Sequence, residues 1–155
     1  MESAVLLADF PVLARLSAAE LGQVSRAATL TSFAARERVF AEGEPAEGCW
    51  LIHSGRIGLD TFVPGRGAVV VQTLGPGDVL GWSWLVPPYR WHFGAVAVAP
   101  SVAAVLDTAQ LRTLAEEDPA FGYALATTLF TAMLDRLQAT RARLLDLYGS
   151  PRDRR

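Results

Sequence analysis

The chain has few of the residues that form covalent links or metal sites, and it has no lysine. Cys49 is the single cysteine among 155 residues. One cysteine excludes an internal disulfide and an all-cysteine zinc or iron–sulfur site within one chain. His53 and His92 are the only histidines, without a His-x-His pair. We therefore expect no metal site.

Long apolar runs and an excess of positive charge are also missing. The net charge is −2, which argues against nonspecific nucleic-acid binding through a basic surface. No stretch of about 20 residues is apolar and uncharged, so we expect no membrane span. The start, Met1-Glu-Ser, begins with an acid and has only a short apolar run, so we expect no signal peptide. These features predict a cytoplasmic protein that binds neither membranes nor nucleic acids.

Hydrophobic residues make up 51% of the chain, enough for one domain with a real core. The pattern divides this domain into N-terminal helices (1–29), a strand-rich part (30–107), C-terminal helices (108–149) and a tail (150–155). In the middle part, Ile57, Leu59 and Val63 occupy alternate positions, and glycines recur at short intervals. Short alternating runs with regular turn signals predict a barrel or sandwich.

Three local signals predict where helices begin and end. Ser17 and Glu20 are spaced as a capping box, which predicts a helix from Ala18. Asp107 or Thr108 can cap a second, short helix. Asp118 and Pro119 then place an N-cap before a first-turn proline. The helix that follows is predicted to run about 30 residues, roughly 45 Å, to a stop at Gly149.

Three motifs follow one another in an order that resembles a known family. They are Phe40-Ala-Glu-Gly-Glu44, Cys49-Trp-Leu-Ile-His-Ser-Gly-Arg-Ile57 and Gly77-Asp-Val-Leu-Gly81. Together with the helix–strand–helix layout, they resemble the cyclic-nucleotide-binding domain of cAMP receptor protein and FNR-like regulators. The resemblance implies an α+β fold. Its antiparallel β-roll, a jelly-roll-like double-stranded β-helix, would be flanked by N-terminal helices and a long C-terminal helix.

The resemblance also implies a phosphate-binding cassette, but the residues there are altered. In the family a glutamate follows the glycine matched by Gly81, and an Arg-Ser/Thr-Ala triplet comes later. Here Trp82 and Ser83 follow Gly81, while Trp91, His92 and Phe93 occupy the triplet positions. Arg90 comes one residue early. On the long helix, Thr140 matches a threonine that meets the purine in cAMP receptor proteins, and Arg141 replaces the serine beside it.

Two interpretations of this cassette remain open. In the first, Arg90 still reaches a phosphate, and Trp82 or Trp91 stacks on a base or covers the pocket. A cyclic nucleotide is then the ligand. In the second, Trp82, Trp84, Trp91 and Phe93 fill the former pocket as core. Loss of two charged hydrogen-bond partners would remove most of a micromolar affinity. We favour a filled pocket or a different ligand.

No Ser/His/Asp set, carboxylate pair or phosphate loop is evident, so we expect no catalysis. The sequence predicts a regulatory domain that senses a small molecule or docks on a partner protein. An alternative is an adaptor that has lost binding, as an accessory subunit of a cytoplasmic, perhaps redox, enzyme. Only six residues follow Gly149, so we expect no DNA-binding helix-turn-helix.

The long helix carries an apolar stripe that predicts a homodimer. Its residues recur at steps of three, four or seven, a spacing that places them on one side of a helix. Two-fold dimers are the commonest homo-oligomers. The stripe comprises Phe130, Met133, Leu134, Leu137, Thr140, Leu144 and Leu147. We expect Met133, Leu137, Leu144 and Leu147 to form the interface.

Overall fold

The computed structural model describes the backbone of residues 7–153 and the side chains of residues 7–148. Three helices lie wholly within the described backbone, and we label them α1 (Ala18–Arg26), α2 (Thr108–Glu117) and α3 (Pro119–Asp153). Short 3-10 turns lie at Pro11–Leu13 and Ser83–Leu85. The eight strands are β1 (Ala28–Phe33), β2 (Arg38–Phe40), β3 (Cys49–Ser54), β4 (Ile57–Val63), β5 (Gly67–Leu74), β6 (Val79–Leu80), β7 (Gly94–Ala97) and β8 (Ser101–Leu106).

The strands form two four-stranded antiparallel sheets, in the orders β1-β8-β3-β6 and β2-β7-β4-β5. Buried side chains from both sheets belong to one core, including Leu51 and Ile52 of β3, Leu59 of β4 and Ala95 of β7. Alternate residues of a strand point to opposite sides, so one face of each sheet can be apolar. This architecture confirms the predicted α+β class with an antiparallel β-roll.

The helix starts confirm the local capping signals. The amide of Glu20 donates to Ser17 Oγ at 3.1 Å, and the amide of Ser17 donates to Glu20 Oε1 at 2.9 Å. This reciprocal pair is a capping box at the start of α1. Asp107 accepts from the amide of Gln110 at the start of α2, and Pro119 is the first residue of α3.

Two boundaries differ from the sequence-based expectation. Residues 1–29 are not helical throughout, because β1 already begins at Ala28 and pairs along its length with β8. Pairing with a neighbouring strand, which no local pattern reports, decides this boundary. At the other end, α3 continues past the predicted stop at Gly149 to Asp153. A glycine costs a helix only about 1 kcal/mol relative to alanine and need not end it. Residues 1–6, part of the predicted N-terminal helices, and 154–155 lie outside the described residues.

The long helix α3 has a packed beginning and an exposed continuation. Phe121, Leu125 and Leu129 are buried in the core. From Leu134 onward most side chains are exposed. At 1.5 Å per residue the 35-residue helix is about 50 Å long, so its later turns extend beyond the β-roll. Among residues 7–153, no helix has both the length and the apolar character needed to cross a membrane.

One ion pair joins β2 to β4 beside β7. Arg38 donates from Nη1 and Nη2 to the two carboxylate oxygens of Asp60, at 2.8 Å each. The Asp60 side chain is nearly buried, whereas that of Arg38 is about half exposed. A Cβ added to Gly94 would collide with both side chains. The glycine at the start of β7 therefore leaves the space that this pair occupies.

Candidate functional site

The cassette begins with a glycine turn that only a residue without a side chain can make comfortably. Gly81 follows β6 with φ +93°, in the left-handed region that disfavours other residues. A Cβ at this position would also lie 3.0 Å from the Trp91 indole and 3.1 Å from the carbonyl oxygen of Gly48. The indole of Trp84 donates to the Gly81 carbonyl at 3.1 Å. Gly81 is thus packed tightly between two tryptophans.

Between β6 and the Pro87-Pro88 pair, the cassette has one 3-10 turn, Ser83–Leu85. A three-residue turn presents few free amides to an anion, because a helix start binds phosphate through several N–H groups in its first turn. Ser83 is buried, and its Oγ lies 3.1 Å from Nδ1 of the exposed His92. These two predicted site residues are thus paired with each other.

Trp91 occupies the interior of the cassette. Its ring stacks on Phe40 with centroids 3.9 Å apart and 12° between the planes. It also lies 6.0 Å from the ring of Trp50. Only 5% of Trp91 is exposed. This indole stands at the position where the resemblance places the phosphate-binding arginine.

Backbone hydrogen bonds hold the loop that carries Trp91. The amide of Trp91 donates to the Glu44 carbonyl at 3.0 Å, and the amide of Gly43 donates to the Trp91 carbonyl at 2.9 Å. Two residues earlier, the Tyr89 carbonyl accepts from the amide of Ala46 at 2.8 Å. The cassette loop is thereby fixed to the loop between β2 and β3, with the Trp91 side chain directed into the core.

Arg90 lies on the surface and bonds to the backbone. Its Nη1 donates to the carbonyl oxygen of Gly43 at 2.9 Å, and the residue is exposed. Arg90 does not line the cassette cavity. Thr140 and Arg141 do not line it either and lie on the exposed part of α3. The structure therefore does not bring Arg90, Thr140 and Arg141 together with the other predicted site residues.

The cavity left at the cassette is very small. Its volume is about 20 Å³, which is room for about one water molecule. Ligand pockets for small organic molecules usually measure about 300–1,000 Å³. The lining contains no arginine and no carboxylate. It consists of Phe40, Leu59, Leu80, Gly81, Trp82, Ser83, Trp91, His92 and Phe93.

The burial of the four cassette aromatics agrees with the prediction only in part. Trp84 and Trp91 are buried, and Trp82 is half-buried. Phe93 is 38% exposed, so its predicted burial is wrong. The physical reason is space: Trp91 fills the interior against Phe40, and the remaining 20 Å³ cannot take a second large ring.

Arg136 of α3, a residue that was not predicted from the sequence, contacts the cassette from outside. Its guanidinium carbon lies 4.6 Å from the centroid of the Trp82 ring, a cation–π contact. Its Nη2 donates to the Val79 carbonyl at 2.6 Å. Burial lowers the pKa of Arg136, an effect that the negative charge of Asp78 opposes. The available signal was its place one heptad after Leu129, a spacing that puts both residues on the same side of the helix.

The comparisons with known proteins agree with this architecture. The family model of the cyclic nucleotide-binding domain matches residues 30–118, more than half of the chain. The chain therefore belongs to the cyclic nucleotide-binding domain family, whose members are generally regulatory and non-catalytic. No curated protein matches the sequence.

Solved structures are similar over most of the chain. A protein from Geobacter metallireducens, described as cyclic nucleotide-binding, has 27% identity and a TM-score of 0.78 over 88% of this chain and 99% of its own. A cyclic nucleotide-binding domain from Methylobacillus flagellatus has 18% identity and a TM-score of 0.79 over 92% and 84%.

A third similar structure is the regulatory subunit of a cAMP-independent protein kinase A from Trypanosoma brucei, in a mutant form bound to cAMP. It has 18% identity and a TM-score of 0.71 over 90% of this chain and 49% of its own. At this identity the likeness shows a shared fold.

Proposed function

We propose that this chain is a regulatory domain of the cyclic-nucleotide-binding type that does not bind cyclic nucleotides, because its own Trp91 takes the place of the ligand. The observation that carries the proposal is the indole of Trp91, stacked on Phe40 and packed against Gly81. A nucleotide could enter only if this buried ring left the core. Removal of a buried tryptophan from its contacts costs about 3–5 kcal/mol, which is a large part of the roughly 8 kcal/mol of a micromolar affinity.

The charges around the cassette support the same conclusion. A cyclic phosphate is an anion, and its burial without a cationic partner is unfavourable. Arg90 is engaged with the Gly43 carbonyl on the surface. Arg136 approaches the cassette from outside, through Trp82 and Val79.

In this proposal the domain acts through protein contacts rather than catalysis. The exposed half of α3 carries large apolar side chains, including Leu137 (57% exposed) and Leu144 (51%). A second copy of the same helix would cover them, and the resulting homodimer would present its surfaces to a partner protein in the cytoplasm.

Isothermal titration with cAMP and cGMP tests the proposal directly. We expect no binding to the wild-type protein at micromolar concentrations of either nucleotide. Arg90→Ala is the informative variant, because Arg90 is the arginine nearest in sequence to the family's arginine position. Low-micromolar binding by the wild type that Arg90→Ala abolishes would overturn the proposal and identify a cyclic-nucleotide sensor.

A further inference from the structure

A second and much larger cavity lies on the other side of the cassette. It measures about 540 Å³ and is bounded by the 3-10 turn at Pro11–Leu13, the β5–β6 connection and α3. We call it the arginine groove and define it by Arg15, Asp78, Asp135, Arg136 and Arg143, its charged lining residues. Its volume falls within the range of about 300–1,000 Å³ usual for small-molecule sites.

The charged side chains described in the arginine groove form no ion pairs with one another. Within the described residues, the only side-chain ion pair within 4 Å is Arg38–Asp60, which lies outside the groove. Arg15 and Arg143 are exposed. Asp78 uses one carboxylate oxygen, Oδ2, to accept from the amide of Gly75 at 2.8 Å. Three cations and two carboxylates therefore face one cavity without neutralising each other by contact.

Arg136 provides a second and independent sign of an incomplete site. Among the described side chains, its Nη1 is the one buried nitrogen or oxygen without a hydrogen-bond partner. A buried donor without an acceptor costs about 1–3 kcal/mol, more when it is charged. Such a group in a native fold calls for an explanation, and a water or an ion beside it is one of them.

We propose that the arginine groove binds a small organic anion that carries hydroxyl groups, such as a sugar phosphate or a sugar acid. Arg15 and Arg143 would hold the phosphate or carboxylate, because guanidinium groups bind such anions through charge-assisted hydrogen bonds. Asp135 and the remaining oxygen of Asp78 would accept from the hydroxyls. The head group would also place a further negative charge near the buried guanidinium of Arg136.

The groove stays open when the long helix pairs with a second copy. One residue of an α-helix corresponds to about 100° of rotation. Ala139, a groove residue, therefore lies about 200° around the helix from Leu137. Asp135 lies four residues before Ala139 and Arg143 four residues after it, so all three are on the same side. Leu137 and the groove thus occupy opposite faces of α3, so a partner helix that packs on Leu137 does not cover the groove.

The fluorescence of Trp82 should report binding in the arginine groove. Arg136 lines the groove and at the same time lies over the Trp82 ring at 4.6 Å. An anion beside Arg136 changes the electric field at that indole, so binding should change tryptophan fluorescence. The change should persist in Trp91→Phe, which alters the cassette interior, and should be lost in Trp82→Phe.

Titration calorimetry with ribose 5-phosphate and gluconate tests the groove, and the two probes distinguish a phosphate from a carboxylate head group. Inorganic phosphate and ribose serve as controls for charge alone and hydroxyls alone. We expect one of the two probes to bind at least about tenfold more tightly than either control. Arg15→Met and Arg143→Met should each weaken that binding about tenfold, which corresponds to one charge-assisted hydrogen bond.

Arg66→Met is the matched control, because Arg66 is an exposed arginine at the β4–β5 turn, outside the groove. It should bind as the wild type does. The proposal is overturned if neither probe binds at millimolar concentration. It is also overturned if Arg66→Met weakens binding as much as Arg143→Met, because the attraction would then be nonspecific. Neither result bears on cAMP at the cassette, so the two proposals fail separately.

Discussion

The indole of Trp91 lies parallel to the ring of Phe40, with centroids 3.9 Å apart and 12° between the planes. The two rings come from positions 51 residues apart in the chain, one at the end of β2 and one in the cassette loop. Their contact joins the cassette to the core of the β-roll. Stacked aromatic pairs contribute about 0.5–1.5 kcal/mol beyond the area that they bury.

Trp91→Ala should therefore destabilise the fold strongly. Deletion of a buried tryptophan removes its contacts and leaves a cavity, at a cost of about 3–5 kcal/mol. Urea unfolding of the wild type and the variant measures the difference. Phe93→Ala is the matched control, because Phe93 is a neighbouring aromatic that is 38% exposed and should cost much less. Equal losses in the two variants would contradict the role of Trp91 as the ring that fills the cassette.

Free indole offers a sharper form of the same test. An apolar cavity of side-chain size can bind a small apolar molecule. Indole at millimolar concentration should raise the stability of Trp91→Ala and leave that of Phe93→Ala unchanged. If indole stabilises neither variant, then the site collapses when Trp91 is removed and no defined cavity remains.

The second prediction separates backbone strain from contact at the cassette turn. Gly81 and Gly77 both have positive φ, +93° and +90°, so an alanine is strained at either position by about 1 kcal/mol or more. Only at Gly81 would the new Cβ also press on Trp91 and on the Gly48 carbonyl, while at Gly77 nothing lies within 4 Å. Gly81→Ala should therefore lower the free energy of unfolding more than Gly77→Ala does. Equal losses would mean that Trp91 moves aside without cost.

The third prediction concerns the buried thiol. Cys49 has no exposed surface. Burial raises its pKa to about 12, with a smaller opposing contribution from a hydrogen bond to Trp84. Because the thiolate is the reactive form, native protein at pH 8 should resist iodoacetamide, and protein in urea should react at once. Fast labelling of the native protein would show that β3 opens locally.

The same shift sets a pH dependence of stability. The folded-state pKa lies above the unfolded value of about 9, so the folded state favours the protonated thiol. The contribution of Cys49 is therefore complete below about pH 9 and is lost progressively as the pH rises towards about 12. Cys49→Ala should flatten this part of the stability curve measured by urea unfolding. An unchanged slope in the variant would assign the alkaline loss to other groups.

Local chemistry and long-range contacts explain which features the sequence could predict. The helix starts at Ala18 and Pro119 were predictable, because capping depends on residues within one turn, such as Ser17 with Glu20. The motifs around Gly55 and Gly77 were sufficient to predict the β-roll. The start of β1 was not predictable, because it depends on pairing with β8, more than seventy residues later.

In the candidate site, too, only the features that depend on local residues could be predicted. The sequence indicated that the cassette lacks its glutamate and its arginine, and six of the predicted residues do line one cavity. It could not show that Trp91 stacks on Phe40, or that Arg90 turns towards Gly43, since both depend on the loop between β2 and β3. The role of Arg136 could not be predicted for a similar reason, because its partners Trp82 and Val79 lie more than fifty residues earlier in the chain.

The last prediction concerns the exposed half of α3. The apolar side chains there form a line along one side of the helix at steps of three, four or seven. Their exposure ranges from 41% at Leu134 to 75% at Tyr148, and the set is Phe130, Leu134, Leu137, Leu144 and Tyr148. Such a line spans about 27 Å at 1.5 Å per residue. A contiguous exposed stripe of this kind is typical of a protein interface. We expect a second copy to cover it, because homo-oligomers are mostly two-fold dimers.

Among the four interface residues predicted from the sequence, Leu137 and Leu144 lie on this line, whereas Leu147 lies to one side of it and Met133 is half-buried. Leu137→Glu and Leu144→Glu should therefore break the dimer more completely than Leu147→Glu. Sedimentation equilibrium should give about twice the chain mass of 16.7 kDa for the wild type and the single-chain mass for Leu144→Glu. Phe62→Glu is the matched control, since Phe62 is 67% exposed on β4, and it should stay dimeric. A wild-type protein that remains monomeric at tens of micromolar would refute the dimer, because a stripe of this length should pair at that concentration.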